Sequence, residues 1–189
     1  HLIDPIPFGP GHSLFTQLND LLNTDEVILH ASTQDLPCLR EVGINPSKLF
    51  DTELGGRIAG LPRVGLGPLL ESLMGVSLAK EHSAVDCSTR PLPANWLTYA
   101  ALDVDVLIDL RDAVEAELKA QNNLDWALAE FENILTFEPE PANPEKWRSL
   151  TGLSAVKDPK QLAVAKSLWQ AREALGQKLD VSPGRLVPD

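Results

Sequence analysis

Tyr99 and Asp103 stand four residues apart, a spacing that places two side chains on one face of a helix. Asp103 interrupts an apolar stretch, Leu102 to Leu107. A carboxylate there is costly unless it is exposed, paired or bound to a metal. On spacing alone the pair also fits a surface i,i+4 contact. A second carboxylate, Asp35, closes the run His30-Ala31-Ser32-Thr33-Gln34-Asp35-Leu36, directly after the apolar Val27-Ile28-Leu29. A carboxylate just past a strand lies where open sheets place their ligand sites. The alternative is an acid at a helix N-terminus, stabilised by the helix dipole. Gly65-Leu66-Gly67 is a bare G-x-G, read as a turn before a helix. The sequence holds no Gly-rich phosphate loop, no paired Cys or His metal motif and no nucleophile elbow.

These residues need elements to position them. Val27-Ile28-Leu29 reads as a short buried strand by its length and β-branching, followed by a helix over roughly Thr33 to Val42. Leu49-Phe50 predicts a second strand or edge. Helices are expected over Glu53 to Ala59, ended by Gly60, and over Leu66 to Met74, ended by Gly75. Upstream, Leu2-Ile3-Asp4-Pro5 reads as the end of a strand, and Ser13 as the cap of a helix carrying Phe15, Leu18, Leu21 and Leu22. After Pro93 the longest helical pattern starts, with Leu97, Ala101, Val104 and Ile108 on one stripe, and runs to about Ala120. Another helix is expected from Leu124 to Leu135, with Trp126 and Phe131. Pro144 to Leu150 predicts a short helix, and Asp158 caps a last one carrying Leu162, Ala165 and Leu168.

With 189 residues, 43% apolar and 23% charged, the chain has the composition of a globular protein and can bury a sizeable core. No apolar run approaches the roughly 18 residues of a membrane helix. Two cysteines, Cys38 and Cys87, are too few for a disulfide framework and read as reduced thiols of a cytoplasmic protein. The net charge of −11 speaks against nonspecific binding of a polyanion, though not against a nucleic-acid enzyme whose carboxylates hold cations. The charge is uneven. Residues 1–140 carry 8 basic against 22 acidic residues, and residues 141–189 carry 8 against 5. The sign changes beside Glu138-Pro139-Glu140-Pro141-Ala142-Asn143-Pro144, whose prolines bar a helix interior. The expected organisation is a first domain over 1–137, a linker over 138–144 and a C-terminal unit over 145–189.

In order and spacing, four segments resemble the ribonuclease D family, in the DEDD superfamily of 3′→5′ exonucleases. His30 to Leu36 looks like its second exonuclease motif, and Leu49-Phe50-Asp51-Thr52 like the strand that follows. Leu78-Ala79-Lys80 and Asp86-Cys87-Ser88-Thr89-Arg90-Pro91-Leu92 resemble the segment before the third motif. Tyr99-Ala100-Ala101-Leu102-Asp103-Val104 looks like the third motif in its tyrosine form. From Lys146-Trp147-Arg148 onward the chain is similar to the start of a helical HRDC domain, a nucleic-acid-binding module. The resemblance implies an α/β fold: part of a ribonuclease-H-like exonuclease domain, a mixed sheet with flanking helices, then a truncated HRDC domain. It also implies a two-metal mechanism with Mg²⁺ or Mn²⁺, ions that suit hard oxygen ligands. Asp35 and Asp103 would then be catalytic metal ligands. Tyr99 would orient the attacking water, and Lys80 and Arg90 would contact the substrate backbone. Arg90 equally fits pairing with a helix end or an acid. The expected partner is the 3′ end of single-stranded RNA, with processing of tRNA precursors as the expected role.

The family's first motif, D-x-E on a strand, would lie upstream of Leu2-Ile3-Asp4, so the chain reads as a fragment holding two of four ligand carboxylates. Asp51-Thr52-Glu53 matches D-T-E literally but follows Asp35 in the chain; the choice is between an ordinary strand end and a substitute ligand pair. Cys87 stands where a Trp is common, removing an aromatic platform for base stacking. Two alternatives to an exoribonuclease remain open at this point: a DNA 3′→5′ exonuclease of the same superfamily, and a non-catalytic nucleic-acid-binding protein with a decayed nuclease fold. A sheet short of its first strands predicts an exposed edge.

Overall fold

The computed structural model describes residues 1–9, 11–77, 89–136 and 143–188. It divides into two compact units, residues 1–137 and residues 138–189. The unit boundary falls where the Pro-rich run begins.

In the first unit, α1 (Ser13–Leu22) leads to β1 (Val27–Leu29), α2 (Asp35–Glu41), β2 (Leu49–Asp51), α3 (Thr52–Ile58) and α4 (Leu66–Met74). The strands pair in parallel, with Val27 opposite Leu49, Ile28 opposite Phe50 and Leu29 opposite Asp51. Parallel neighbours need a crossover, and α2 supplies it. The register matters for function, because it sets the end of β1 beside Asp51. The described residues hold these two parallel strands where the sequence predicts a mixed sheet.

Three more helices complete the unit: α5 (Ala94–Asp105), α6 (Leu107–Ala120) and α7 (Leu124–Thr136). Leu110, Val114 and Leu118 recur every four residues and are fully buried, together with Phe50, Leu69 and Leu70. Phe50 meets Phe131 with ring centroids 4.9 Å apart. Gly55 lets α3 sit against α6; a Cβ there would lie 2.8 Å from Val114 Cγ1. Side chains also close helix ends whose carbonyls lack partners. Gln121 Nε2 donates to Ala59 O at 2.7 Å, Asn123 Nδ2 to Ile58 O at 3.1 Å, and Arg40 to Leu135 O at 2.9 Å.

Several sequence expectations are corrected. The single helix expected from Pro93 to Ala120 breaks at Val106 into α5 and α6. Its stripe is not the core stripe: Leu97, Val104 and Ile108 are exposed, and α6 buries Leu107 and Leu110 instead. Two apolar patterns overlap there, and the break rotates one out of register with the other. Trp126 is likewise exposed, while Ala127 and Phe131 carry the packing of α7. Leu2 to Pro5 is no strand. Leu2 and Ile3 are exposed, and the Pro5 carbonyl turns back to accept from the N–H groups of Phe8 and Gly9. His12, not Ser13, caps α1: its Nδ1 accepts from Leu14 N at 3.2 Å.

The second unit holds a 3₁₀ turn at Lys146–Ser149, where the sequence predicts a short helix, then a second at Leu153–Ala155, α8 (Pro159–Leu179) and α9 (Pro183–Leu186). Asp158 caps α8 as expected, accepting from Lys160 N at 3.1 Å. Trp147 is buried, with the Arg148 guanidinium 4.7 Å from its ring centroid. Leu168 of the expected apolar stripe is exposed.

Candidate active site

The chain leaves β1 at Leu29 and turns through His30 to Gln34 into α2. Ala31 adopts φ +60°, a left-handed conformation that costs a non-glycine residue about 1 kcal/mol or more. The turn is held from across the sheet. Asp51, 2% exposed, accepts five hydrogen bonds. Its Oδ2 takes Ser32 N at 2.8 Å and Ser32 Oγ at 2.6 Å. Its Oδ1 takes Ala31 N at 3.2 Å, Glu53 N at 2.9 Å and Leu54 N at 3.0 Å. One carboxylate thus satisfies the first turn of α3 and the strained turn after β1. Next to it, Thr52 Oγ1 lies 2.9 Å from His30 Nδ1 and donates to Leu29 O at 3.3 Å. The third residue of the literal D-T-E, Glu53, pairs with Arg57 at 2.6 Å. Asp51 and Glu53 are therefore engaged in holding the fold.

Asp35 and Asp103 are placed differently. Asp35 is the first residue of α2 and is exposed; Asp103 lies on α5, one turn after Tyr99, and is half-buried. Neither carboxylate has a salt-bridge partner among the described residues. Desolvation, followed by the negative charge of Asp51, raises the Asp35 carboxyl above its ordinary value. The helix-end reading of Asp35 predicts the opposite sign, so its surroundings outweigh the dipole. Desolvation also raises Asp103, against opposing contributions from a Tyr99 hydrogen bond and from His30. Tyr99 is raised by desolvation, then by the charge of Asp103 and the hydrogen bond to it. His30 links the two acids. Desolvation lowers its pKa, while the charges of Asp51, Glu53, Asp103 and Asp35 all pull it upward. The imidazole therefore stands within electrostatic reach of carboxylates from the β1–α2 turn, the head of α3 and α5.

The oxygen donors of Asp35 and Asp103 are of the kind Mg²⁺ and Mn²⁺ take. They fit such an ion in chemistry. In number they fall short of a full coordination shell: among the described residues no three His, Cys, Asp or Glu side chains gather closely enough to hold a metal ion. Arg90, expected near substrate, pairs with Asp4 through Nε–Oδ2 and Nη2–Oδ1, both at 2.9 Å. This is the acid-pairing alternative left open by the sequence. Lys80, with Leu78, Ala79, Asp86, Cys87 and Ser88, lies outside the described residues. Cys38 is exposed on α2 with a free thiol. Sequence reasoning named no role for Ser32, Asp51, Thr52 or His30 as a constellation. The signal was present in Asp51-Thr52 at a strand end facing a His-x-Ser turn, but only the parallel register brings the two together.

Residues 2–119 match the 3′-5′ exonuclease family, and the chain belongs to it. Ribonuclease D of Nitrobacter hamburgensis is 31% identical over 175 residues, covering 90% of this chain and 45% of that protein. A crystal structure of a protein from Bifidobacterium adolescentis superposes with a TM-score of 0.84 at 40% identity, covering 92% of this chain and 42% of its own. Escherichia coli RNase D, described as an exoribonuclease involved in structured RNA processing, gives a TM-score of 0.66 at 28% identity, covering 92% and 48%. Brucella melitensis NrnC with bound Mg²⁺ gives 0.55 at 27% identity, covering 61% and 58%. The resemblance to ribonuclease D read from the motifs is borne out. The chain spans about half the length of the curated relatives it matches.

Proposed function

We propose that the protein carrying this chain is a metal-dependent 3′→5′ exoribonuclease that shortens RNA from its 3′ end, with structured RNAs such as tRNA precursors as substrates. The observation that supports this reading is the convergence on His30 of two carboxylates without cation partners, Asp35 and Asp103, the second bonded to Tyr99. Asp35 and Asp103 would hold the divalent ions, Mg²⁺ or Mn²⁺. Such ions supply charge to activate a water and to stabilise the leaving 3′ oxygen.

The chain's own groups are suited to the rest. The Tyr99 hydroxyl donates a hydrogen bond to Asp103. Its oxygen is then left as an acceptor, able to hold an attacking water by one hydrogen and so aim its lone pair at the phosphorus. The desolvation that raises both acids strengthens their pull on any cation that enters. The 22 acidic against 8 basic residues of positions 1–140 make tight nonspecific RNA binding there unfavourable, so we assign part of substrate affinity to the C-terminal unit. That unit carries 8 basic against 5 acidic residues beyond position 140, and we read it as the start of an HRDC domain. We place the protein in the cytoplasm. No helix among the described residues is long and apolar enough to cross a membrane.

The test is cleavage of a 5′-labelled single-stranded RNA with Mn²⁺, Mg²⁺ or EDTA, beside the Asp103→Ala variant and a matched DNA. The expected result is a metal-dependent ladder shortening from the 3′ end, lost in the variant. Cleavage at internal positions, or an unchanged ladder from Asp103→Ala, contradicts the reading. Faster shortening of the DNA moves the substrate class to DNA.

A further inference from the structure

Thr52 decides which nitrogen of His30 faces the site. The Leu29 carbonyl can only accept, so the Thr52 hydroxyl, 3.3 Å away, gives it its single proton. The Thr52 oxygen is then free to accept, and its neighbour at 2.9 Å is His30 Nδ1. In that arrangement His30 Nδ1 carries the ring proton. In a neutral imidazole the other nitrogen, Nε2, is then a bare acceptor. Among the described residues the bond to Thr52 is the one hydrogen bond His30 makes, and its Nε2 is not a buried unpaired atom. Among those residues nothing donates to Nε2.

A nucleic-acid strand offers such an acceptor two kinds of donor, the N–H groups of its bases and the hydroxyls of its sugars, and the hydroxyls alone are the same whatever the terminal base. Phosphate oxygens only accept. The ribose hydroxyls donate, and the 3′-terminal ribose of an RNA carries two of them. We propose that His30 is a specificity-determining residue whose Nε2 accepts a hydrogen bond from a hydroxyl of the terminal ribose, with Thr52 as the positioning residue that sets its tautomer. This deepens the nuclease reading above and rests on it. The ring stands where it must for that role, one residue past β1 on the turn that leads to Asp35. The Asp51 clamp on Ala31 and Ser32 fixes that turn.

Two measurements on the chain test this. The first is ¹⁵N NMR of its four histidines, assigned through His30→Asn. The wild type is expected to carry the proton on Nδ1, Thr52→Val to lose that preference, and Thr52→Ser to restore it. A wild-type His30 protonated on Nε2 overturns the proposal. The second is titration with adenosine 5′-monophosphate and its 2′,3′-dideoxy counterpart in Mg²⁺. The ribonucleotide is expected to move the Nε2 resonance and to bind about fivefold tighter, the worth of one ordinary hydrogen bond. His30→Asn keeps a donor near Thr52 but has no Nε2, and is expected to bind both ligands alike. Equal binding by the wild type, or discrimination that survives in His30→Asn, overturns the proposal. The nuclease reading fails separately. RNA left uncut while the ribonucleotide is still preferred removes that reading and keeps the ribose contact. RNA shortened without any preference removes the ribose contact alone.

Discussion

Two sets of acids in the first unit act on His30, and they are built in opposite ways. At the head of α3, Asp51 is buried and accepts five hydrogen bonds. Asp35 and Asp103 are more open, have no salt-bridge partner among the described residues, and are both raised by desolvation. The first arrangement stabilises: every donor in a buried turn finds an acceptor. The second costs stability, since desolvated charge is left uncompensated. A carboxylate kept in an unfavourable electrostatic state is the kind a binding cation can repay. The contrast separates the acid that holds the fold from the acids available for chemistry, although the fold-holding one sits in the more motif-like D-T-E.

The sharpest way to break this comparison is Asp51→Ala. It strands the buried Ser32 N–H and hydroxyl and three part-buried N–H groups, and at about 1–3 kcal/mol for each fully buried group urea denaturation should show a loss of about 3 kcal/mol or more. A loss below about 1 kcal/mol would place Asp51 with the other acids. Gly55→Ala tests the packing behind the clamp. The new methyl meets Val114 Cγ1 at 2.8 Å, and overpacking of this kind costs about 1–3 kcal/mol.

Asp103→Asn should have the opposite sign and a smaller size. A raised carboxyl means that the folded chain holds its proton more tightly than the unfolded chain. The cost is absent below the ordinary value of 3.8, grows as pH rises through the folded value, and is complete above it. Calorimetry should show Asp103→Asn melting about 1–2 °C higher at pH 7, with solvent screening keeping the gain small. At pH 3.5 the two proteins should melt together. A lower melting point at pH 7 would make Asp103 a structural acid. Smallest of all should be Arg90→Ala, which removes an exposed pair with Asp4; a melting shift within about 1 °C is expected.

Much of this was legible in the sequence. Val27 to Leu29, Leu49-Phe50, Leu66 to Met74 and the Asp158 cap are local signals, and local signals survive into the structure. Tyr99 and Asp103 share a helix face by spacing alone. The stripe Leu97-Val104-Ile108 misled because periodicity does not report a helix break, and Val106 supplies one. Leu2-Ile3 misled because an apolar pair reads as strand whether or not a neighbouring strand is present to pair with it. The Asp51 clamp was not legible. Ser32 and Asp51 lie 19 residues apart, and only the β1–β2 register joins them.

The most direct test of the central claim is Mn²⁺ binding to this chain, followed by water-proton relaxation, in the wild type, Asp35→Asn, Asp103→Asn and Glu53→Gln. Glu53 is the control, an acid near His30 whose side chain is tied to Arg57. At least a tenfold loss of affinity is expected in each aspartate variant, with little change in Glu53→Gln. Wild-type affinity in Asp35→Asn and Asp103→Asn, or a loss confined to Glu53→Gln, would contradict it.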